Sequence, residues 1–248
     1  METPTYVALS RQTALLRQMD VVANNLANVA TPGFKAEEEV FTTVPIRSQS
    51  FGAPQKLAYV QDFATARDFS AGPMQPTGND LDVAIQGPGF FVVQTPAGPR
   101  YTRLGHFALN AAGQVVNKLG YPVLAGGAPI TIDPNDGPVQ IASDGSISAD
   151  RTQQGNAQVT YGKLDVVDFQ DRGQLTPEEG ILFNTSAPPV QVAQPHIVQR
   201  MLEQSNVQPV KELTSMISVQ RNYEAVEKFI EGEDDRMRRA INYVIPSS

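Results

Sequence analysis

His106 and His196 are the only histidines of this chain, and the candidates for acid–base or metal chemistry are otherwise scattered carboxylates. Two imidazoles supply at most half of a tetrahedral zinc site, so each reads as a surface or packing residue. Asp133-Pro134-Asn135-Asp136-Gly137 resembles part of a calcium loop, yet it lacks the twelve-residue pattern with its closing glutamate and runs into Pro138, so it reads as a turn. Glu37, Glu38 and Glu39 follow one another in chain that reads as extended, where successive side chains point to alternate faces, and they predict a solvated surface rather than a metal cluster. Asp165 with Asp168, and Glu178 with Glu179, are carboxylate pairs with no convergent base or nucleophile. Gly87-Pro88-Gly89 lacks the third glycine and following helix of a dinucleotide fingerprint, and neither a Walker lysine nor a Gly-x-Ser-x-Gly elbow occurs. The absence of cysteine removes thiol catalysis, disulfides and thiolate metal sites together. The expectation is no catalytic residue, no metal site, no cofactor and no enzymatic activity.

Charge narrows the partners further. A formal net charge of -7 disfavours a phosphate-binding surface, which needs clustered Lys and Arg. The one basic group, Arg236, Arg238 and Arg239, falls near a helix end, where cations complement the macrodipole. No nucleic-acid partner is expected. Met1-Glu2-Thr3-Pro4 shows no basic segment followed by an apolar core, and no apolar run reaches 18 residues, so neither a Sec signal peptide nor membrane insertion is expected.

The hydrophobic pattern divides the chain into helix, extended chain, strands and helix. From Tyr6 to about Asn28, Leu9, Leu16, Met19, Ala23 and Leu26 recur at spacings of 7, 3, 4 and 3, an apolar seam on a helix of roughly 35 Å. Thr31-Pro32-Gly33 stops it. Residues 31–79 read as an extended linker broken by Gly and Pro, with few strands. Residues 80–190 read as a central antiparallel β domain. Leu81, Val83 and Ile85 alternate with polar or small residues before Phe90-Phe91-Val92-Val93, and further strand patterns at Tyr101–Leu104, Phe107–Leu109, Gln114–Lys118, Tyr121–Leu124, Ile130–Ile132, Val139–Ile141, Ser146–Ser148, Val159–Phe169 and Ile181–Phe183 follow between turns. Residues 191–248 read as a C-terminal linker followed, from about Val207, by a second helix. Met216, Val219, Tyr223, Val226, Ile230, Met237, Ala240 and Val244 keep a 3/4 spacing, interrupted by Glu233, over about 38 residues or roughly 57 Å. Ser205 or Asn206 is the candidate cap, Pro209 lies in the first turn, and Gly232 is a weak point midway. The fold class is α+β, mainly β: a central antiparallel domain between terminal helices that pair in a coiled-coil-like assembly region.

The least ordinary stretch is Ala23-Asn24-Asn25-Leu26-Ala27-Asn28, because asparagine amides compete for backbone groups and are poor helix-interior residues unless something binds them. Together with Thr31-Pro32-Gly33-Phe34-Lys35 it resembles the signature of the bacterial flagellar basal-body rod and hook proteins. Two further matches occur in the expected order. Thr77 to Ile85 with Gly87, Gly89-Phe90-Phe91 and Tyr101-Thr102-Arg103 resembles the family's β-domain opening. Ser205-Asn206-Val207 with Pro209-Val210, Met216-Ile217 and Gln220-Arg221-Asn222-Tyr223-Glu224 resembles its terminal helix. The chain departs from common family wording at Gln208, where asparagine is more usual, and at Asn222, where a small apolar residue is frequent.

Within that family the length, the Ala8-Leu9-Ser10-Arg11-Gln12 opening and the compact β domain look most like the proximal-rod member, with the distal-rod or hook subunit as the alternative. The resemblance implies a structural subunit of the rod that crosses the periplasm. It also implies other rod proteins and further copies of the chain as partners, and passage through the flagellar type III export apparatus without a cleaved Sec signal. Isolated helices are marginal in water, so terminal segments that order only on assembly are physically consistent with it. The residues expected to carry assembly are Leu9, Leu16, Met19, Asn24, Asn25, Leu26 and Asn28 near one end and Met216, Val219, Tyr223, Val226 and Ile230 near the other. Their apolar members are also expected to join the two helices, and the asparagine amides to find partners only in the assembled tube. A soluble β-domain binding module with a helical oligomerisation stem is the competing reading, and it implies closed oligomers rather than an open helical assembly.

Overall fold

A computed structural model describes residues 3–47, 56–133, 135–151, 157–178 and 181–244. The chain divides into two units, one helical and one of strands.

The helical unit takes Met1–Val29, Glu37–Asp68 and Val207–Ser248. Helix α1 spans Thr3–Ala27 and α2 spans Pro209–Val244, the latter 36 residues long with its proline in the first position, where a missing N–H costs nothing. Between them in sequence lies a long antiparallel ribbon, β1 (Glu37–Arg47) and β2 (Lys56–Arg67), paired from Glu37↔Arg67 to Arg47↔Lys56 with a bulge at Thr42/Thr43. The expectation of an extended linker with few strands is corrected here. The run from Glu37 to Arg47 holds Val, Phe, Thr and Ile, which favour strands, and its partner strand is supplied by Lys56–Arg67. Gly52 and Pro54, expected as breakers, lie outside the described residues.

The second unit takes Ala30–Ala36 and Phe69–Asn206. It opens with β3 (Met74–Pro76), β4 (Val83–Gln86), β5 (Phe90–Thr95) and β6 (Gly98–Thr102). Two small hairpins follow, β7 (Phe107–Leu109) with β8 (Val115–Asn117), and β9 (Leu124–Ala125) with β10 (Ala128–Pro129). A three-stranded sheet is made by β11 (Val139–Ile141), β12 (Ser146–Arg151) and β13 (Ala157–Lys163). The chain then adds β14 (Val166–Asp168), β15 (Thr176–Glu178), β16 (Leu182–Asn184), β17 (Val190–Gln191), β18 (His196–Gln199) and β19 (Met201–Glu203). The largest sheet runs β15-β16-β6-β5-β14-β17, antiparallel throughout, while β18 returns to β4 and β19 to β3.

Strand β5 explains the unalternated Phe90-Phe91-Val92-Val93 run. Phe91 and Val93 enter a core with Val83, Ile85, Phe107 and Ile147, and Phe90 and Val92 enter a second with Tyr101, Phe169 and Phe183. A strand covered on both faces has no solvent side to carry polar residues. The Phe90 ring lies 5.6 to 5.9 Å from those of Phe69, Phe169 and Phe183, within the separation of favourable edge and tilted contacts. The expected single strand Val159–Phe169 is broken, because Leu164 and Asp165 turn their N–H groups to Gly145 and Leu124 and carry the chain from one sheet to the next. Ile130 and Ile132 are buried but lie outside the strands, held by a bridge at Thr131 and by backbone bonds to Val115, Val123 and Gly113.

Candidate functional site

On α1 the face turned inward is one residue away from the expected seam. Ala8, Leu15 and Val22 are buried at spacings of seven, and Gln12 between the first two donates from Nε2 to the Tyr223 hydroxyl of α2 at 3.0 Å. Leu9 and Leu16 remain 53% and 45% exposed, and Ala23 is exposed as well. Their expected role in joining the helices is therefore corrected. Residues one apart sit about 100° around a helix, and the small Ala8 admits the partner where the larger Leu9 drew the reading. Met19 and Leu26 are half-buried. The α2 seam fits better: Val219 is buried, and Met216, Tyr223, Val226 and Ile230 are half-buried on the same face. Met237 is exposed, and the side chains of Ala240 and Val244 lie outside the described ones. Gln12 to Tyr223 and Asn25 to Glu212 together run the two helices antiparallel.

What stays outside is an apolar surface on both helices. Tyr6, Leu9 and Leu16 are exposed on α1, and Val210, Leu213, Ile217, Phe229 and Met237 on α2. Val210, Leu213 and Ile217 fall at spacings of three and four and so share one face.

The asparagines have partners within the unit, which corrects the expectation that their amides wait for assembly. The Asn25 side chain is 2% exposed and meets the backbone of Glu37 twice, donating from Nδ2 to the carbonyl and accepting at Oδ1 from the N–H, both at 2.9 Å. Its amide thus completes the first residue of β1 as a neighbouring strand would. Asn28 Nδ2 donates to the Asn24 carbonyl at 3.0 Å and to Asn24 Oδ1 at 3.1 Å, closing the last turn, and Asn24 Nδ2 reaches Glu37 Oε2 at 3.2 Å. A helix end leaves carbonyls unbonded, and amide donors one turn on are suited to it.

The glutamate triplet alternates as extended chain must, but two of its members are not solvated surface. Glu37 pairs with Arg67, whose guanidinium is lowered from its ordinary value by burial and held up by that carboxylate. Glu38 is exposed. Glu39 turns toward α1, where burial raises its pKa, Arg17 opposes the rise and Asp20 adds to it. Its Oε2 is buried with no hydrogen-bond partner among the described residues.

The second unit contains a charge cluster with no expected role. Glu203 ends β19, and its carboxylate takes Lys35 Nζ and the Gly72 N–H on Oε1, at 2.6 and 2.9 Å, and the Arg103 Nε on Oε2 at 2.9 Å. Arg103 continues into the carbonyls of Ile85, Gly87 and Gly89, and Lys35 into that of Ser70. Lys35 and Glu203 side chains are both 1% exposed. Gly33 donates its N–H to the Glu203 carbonyl at 2.8 Å, at φ +74, and a Cβ there would fall 2.7 Å from the Leu104 nitrogen. Asn206, expected with Ser205 as a candidate cap of α2, accepts the Ala36 N–H at Oδ1 and reaches Ser70. The sequence signal for this cluster was a basic side chain closing each of two motifs, Thr31-Pro32-Gly33-Phe34-Lys35 and Tyr101-Thr102-Arg103, and a lone glutamate after the apolar Met201-Leu202.

The residues first considered for chemistry serve local structure. His106 Nδ1 lies 2.6 Å from Asp82 Oδ1, which Asn79 also bonds, and His196 is exposed on β18. Asp165 takes the N–H groups of Gly126 and Gly127, whereas Asp168 binds Arg172. Burial pushes Asp168 up, and the Arg172 and Phe169 N–H donors outweigh it, so its pKa is lowered. Glu178 binds Arg100, whose hydrogen bond lowers it, and Glu179 lies outside the described residues, as does Pro134. Asp133 makes an Asx turn to the Asn135 N–H. Among the described residues no three His, Asp or Glu side chains converge as a metal site would need, and no helix is long and apolar enough to cross a membrane.

Residues 6–35 match the family described as flagella basal body rod protein, 84–149 the flagellar hook protein FlgE/F/G D1 domain, and 198–242 the flagellar basal body rod FlgEFG protein C-terminal family. The chain is 43% identical over 247 residues to the flagellar basal-body rod protein FlgF of Caulobacter vibrioides, covering 97% of each. It is 37% identical to FlgF of Mesorhizobium japonicum over 90% of each. To the flagellar basal-body rod protein FlgG of Buchnera aphidicola subsp. Schizaphis graminum it is 34% identical over 89% of this chain and 92% of that one.

Proposed function

The chain belongs to the flagellar basal-body rod protein family as a structural subunit of the basal body, and we propose that it builds the proximal part of the rod. The 43% identity to a FlgF protein over 97% of each chain, with the opening motif and compact β domain that resemble the proximal-rod member, supports the proximal position. Assembly with other rod components follows from the family. The specific neighbours proposed are proximal and distal rod subunits and further copies of this chain, in a tube that crosses the periplasm. Export through the type III apparatus, without a cleaved Sec signal, and the lack of any catalytic role complete the reading.

The observation that carries it is the pair of exposed apolar faces. Each helix uses one face inside the subunit and leaves another outside, with Leu9 and Leu16 on α1 and Val210, Leu213 and Ile217 on α2. Apolar faces left exposed on a chain suit burial against further subunits, and contacts of the heterologous kind extend into an open helical array. Coiled-coil-like packing between subunits would cover them, with Leu9, Leu16, Met19 and Leu26 as assembly residues on α1, while Met216, Val219, Tyr223, Val226 and Ile230 serve assembly by holding α2 to α1 within each subunit. Asn24, Asn25 and Asn28 then act in assembly by fixing the end of α1.

Deletion of the gene should leave cells without flagella and with basal bodies stopped before the rod is complete. Complete rods in the deletion strain would overturn the assignment.

A further inference from the structure

We propose that residues 30–36 form a strap that detaches from, and reseats on, the β unit, with the Lys35–Glu203 pair as its latch. The segment belongs to the β unit, yet the chain on either side of it, Met1–Val29 and Glu37–Asp68, belongs to the helical one. None of its seven residues lies in a strand, so no ladder ties it down. It is seated by the buried Phe34 side chain and by single bonds, among them Gly33 N–H to the Glu203 carbonyl, Lys35 to Glu203 and Ser70, and Ala36 N–H to Asn206.

The charges make this segment the removable part. With the strap seated, the Glu203 carboxylate takes two cations, Lys35 and Arg103. Removing Lys35 leaves Glu203 paired with Arg103 through Nε and Nη2 and still bonded by the Gly72 N–H, so no buried charge is orphaned. The departing ammonium meanwhile regains its hydration, which a buried cation gives up at considerable cost. Arg103 cannot leave in the same way. It also holds the carbonyls of Ile85, Gly87 and Gly89, and its loss would strip all of them.

Gly33 supplies the close seat. Its positive φ and the 2.7 Å approach that a Cβ would make to Leu104 mean that the strap fits the unit only with hydrogen at this position. When the strap is open, α1 and β1 are joined by a free tether, and when it is seated that tether is fixed at Gly33 and Lys35. Such local opening needs less free energy than global unfolding, as is usual where backbone bonds are few.

Hydrogen exchange followed by mass spectrometry on the full chain tests this. In the native protein, peptides covering 30–36 should be protected at least about tenfold less than those covering 85–93. Lys35→Met should raise exchange at 30–36 by about tenfold or more while leaving 85–93 and the thermal midpoint of the β unit unchanged. Lys35→Gln, which keeps a donor, should fall between the two. Glu203→Gln should lower protection at both 30–36 and 85–93. Exchange of 30–36 in step with 85–93 in the native chain would overturn the strap. An unchanged rate at 30–36 in Lys35→Met, or a loss at 85–93 in that variant, would overturn the latch.

Discussion

The side-chain amide of Asn25 and the backbone of Glu37 exchange two hydrogen bonds of 2.9 Å, joining the last turns of α1 to the first residue of β1. A carboxamide is the smallest group that presents a donor and an acceptor side by side, as a peptide unit does. Asn25→Ala should therefore leave a part-buried N–H and C=O of Glu37 without this partner and cost the helical unit about 1–2 kcal/mol. Asn25→Asp keeps an acceptor for the Glu37 N–H but loses the donor, and it places a charge near Glu212 Oε2, now 3.5 Å from Nδ2. It should melt no higher than Asn25→Ala at neutral pH, as thermal circular dichroism would show.

Leu15 and Leu16 are neighbours in sequence with opposite fates, at 7% and 45% exposure. Leu15→Asp buries a charge and should lower the melting temperature sharply. Leu16→Asp should change stability by less than about 0.5 kcal/mol, as exposed substitutions do, and yet abolish motility and rod assembly. Normal rods carrying Leu16→Asp would remove this residue from the assembly surface.

Arg103→Lys keeps the charge but not the planar fork that serves Glu203 and three carbonyls at once. A loss of about 2–3 kcal/mol in denaturant unfolding of the β unit is expected, with no change in net charge to explain it.

Glu39 gives the helical unit a pH dependence of definite sign. Burial raises its pKa in the folded state, with Arg17 opposing and Asp20 reinforcing, so the folded chain binds this proton more tightly than the unfolded one. The ionised carboxylate thus costs stability above the folded pKa, and the cost disappears as pH falls through the raised value to the ordinary one. Glu39→Gln should raise the melting temperature at neutral pH, and the gain should vanish at about pH 4 and below. A gain that persists at acid pH would show packing, not charge, to be the cause.

Helix, strands and helix were legible in the sequence because periodicity is a local property: Met216, Val219, Tyr223, Val226 and Ile230 mark one face of a helix whatever it meets. The Asn24-Asn25-Leu26-Ala27-Asn28 and Thr31-Pro32-Gly33 stretches marked by themselves where α1 ends, and together with the other motifs they carried the family resemblance.

Which face of α1 turns inward was decided only by the tertiary structure. Ala8 and Leu9, or Leu15 and Leu16, are each compatible with a seam, and the choice depends on how closely α2 approaches. The ribbon β1–β2 likewise needed its partner strand, and Asn25 acquired a role only when Glu37 came within bonding distance. Lys35, Arg103 and Glu203 are far apart in sequence, and each alone reads as an ordinary surface charge. Burial is a property of the folded surroundings rather than of the residue, so the chain order named these three side chains but could not place them inside.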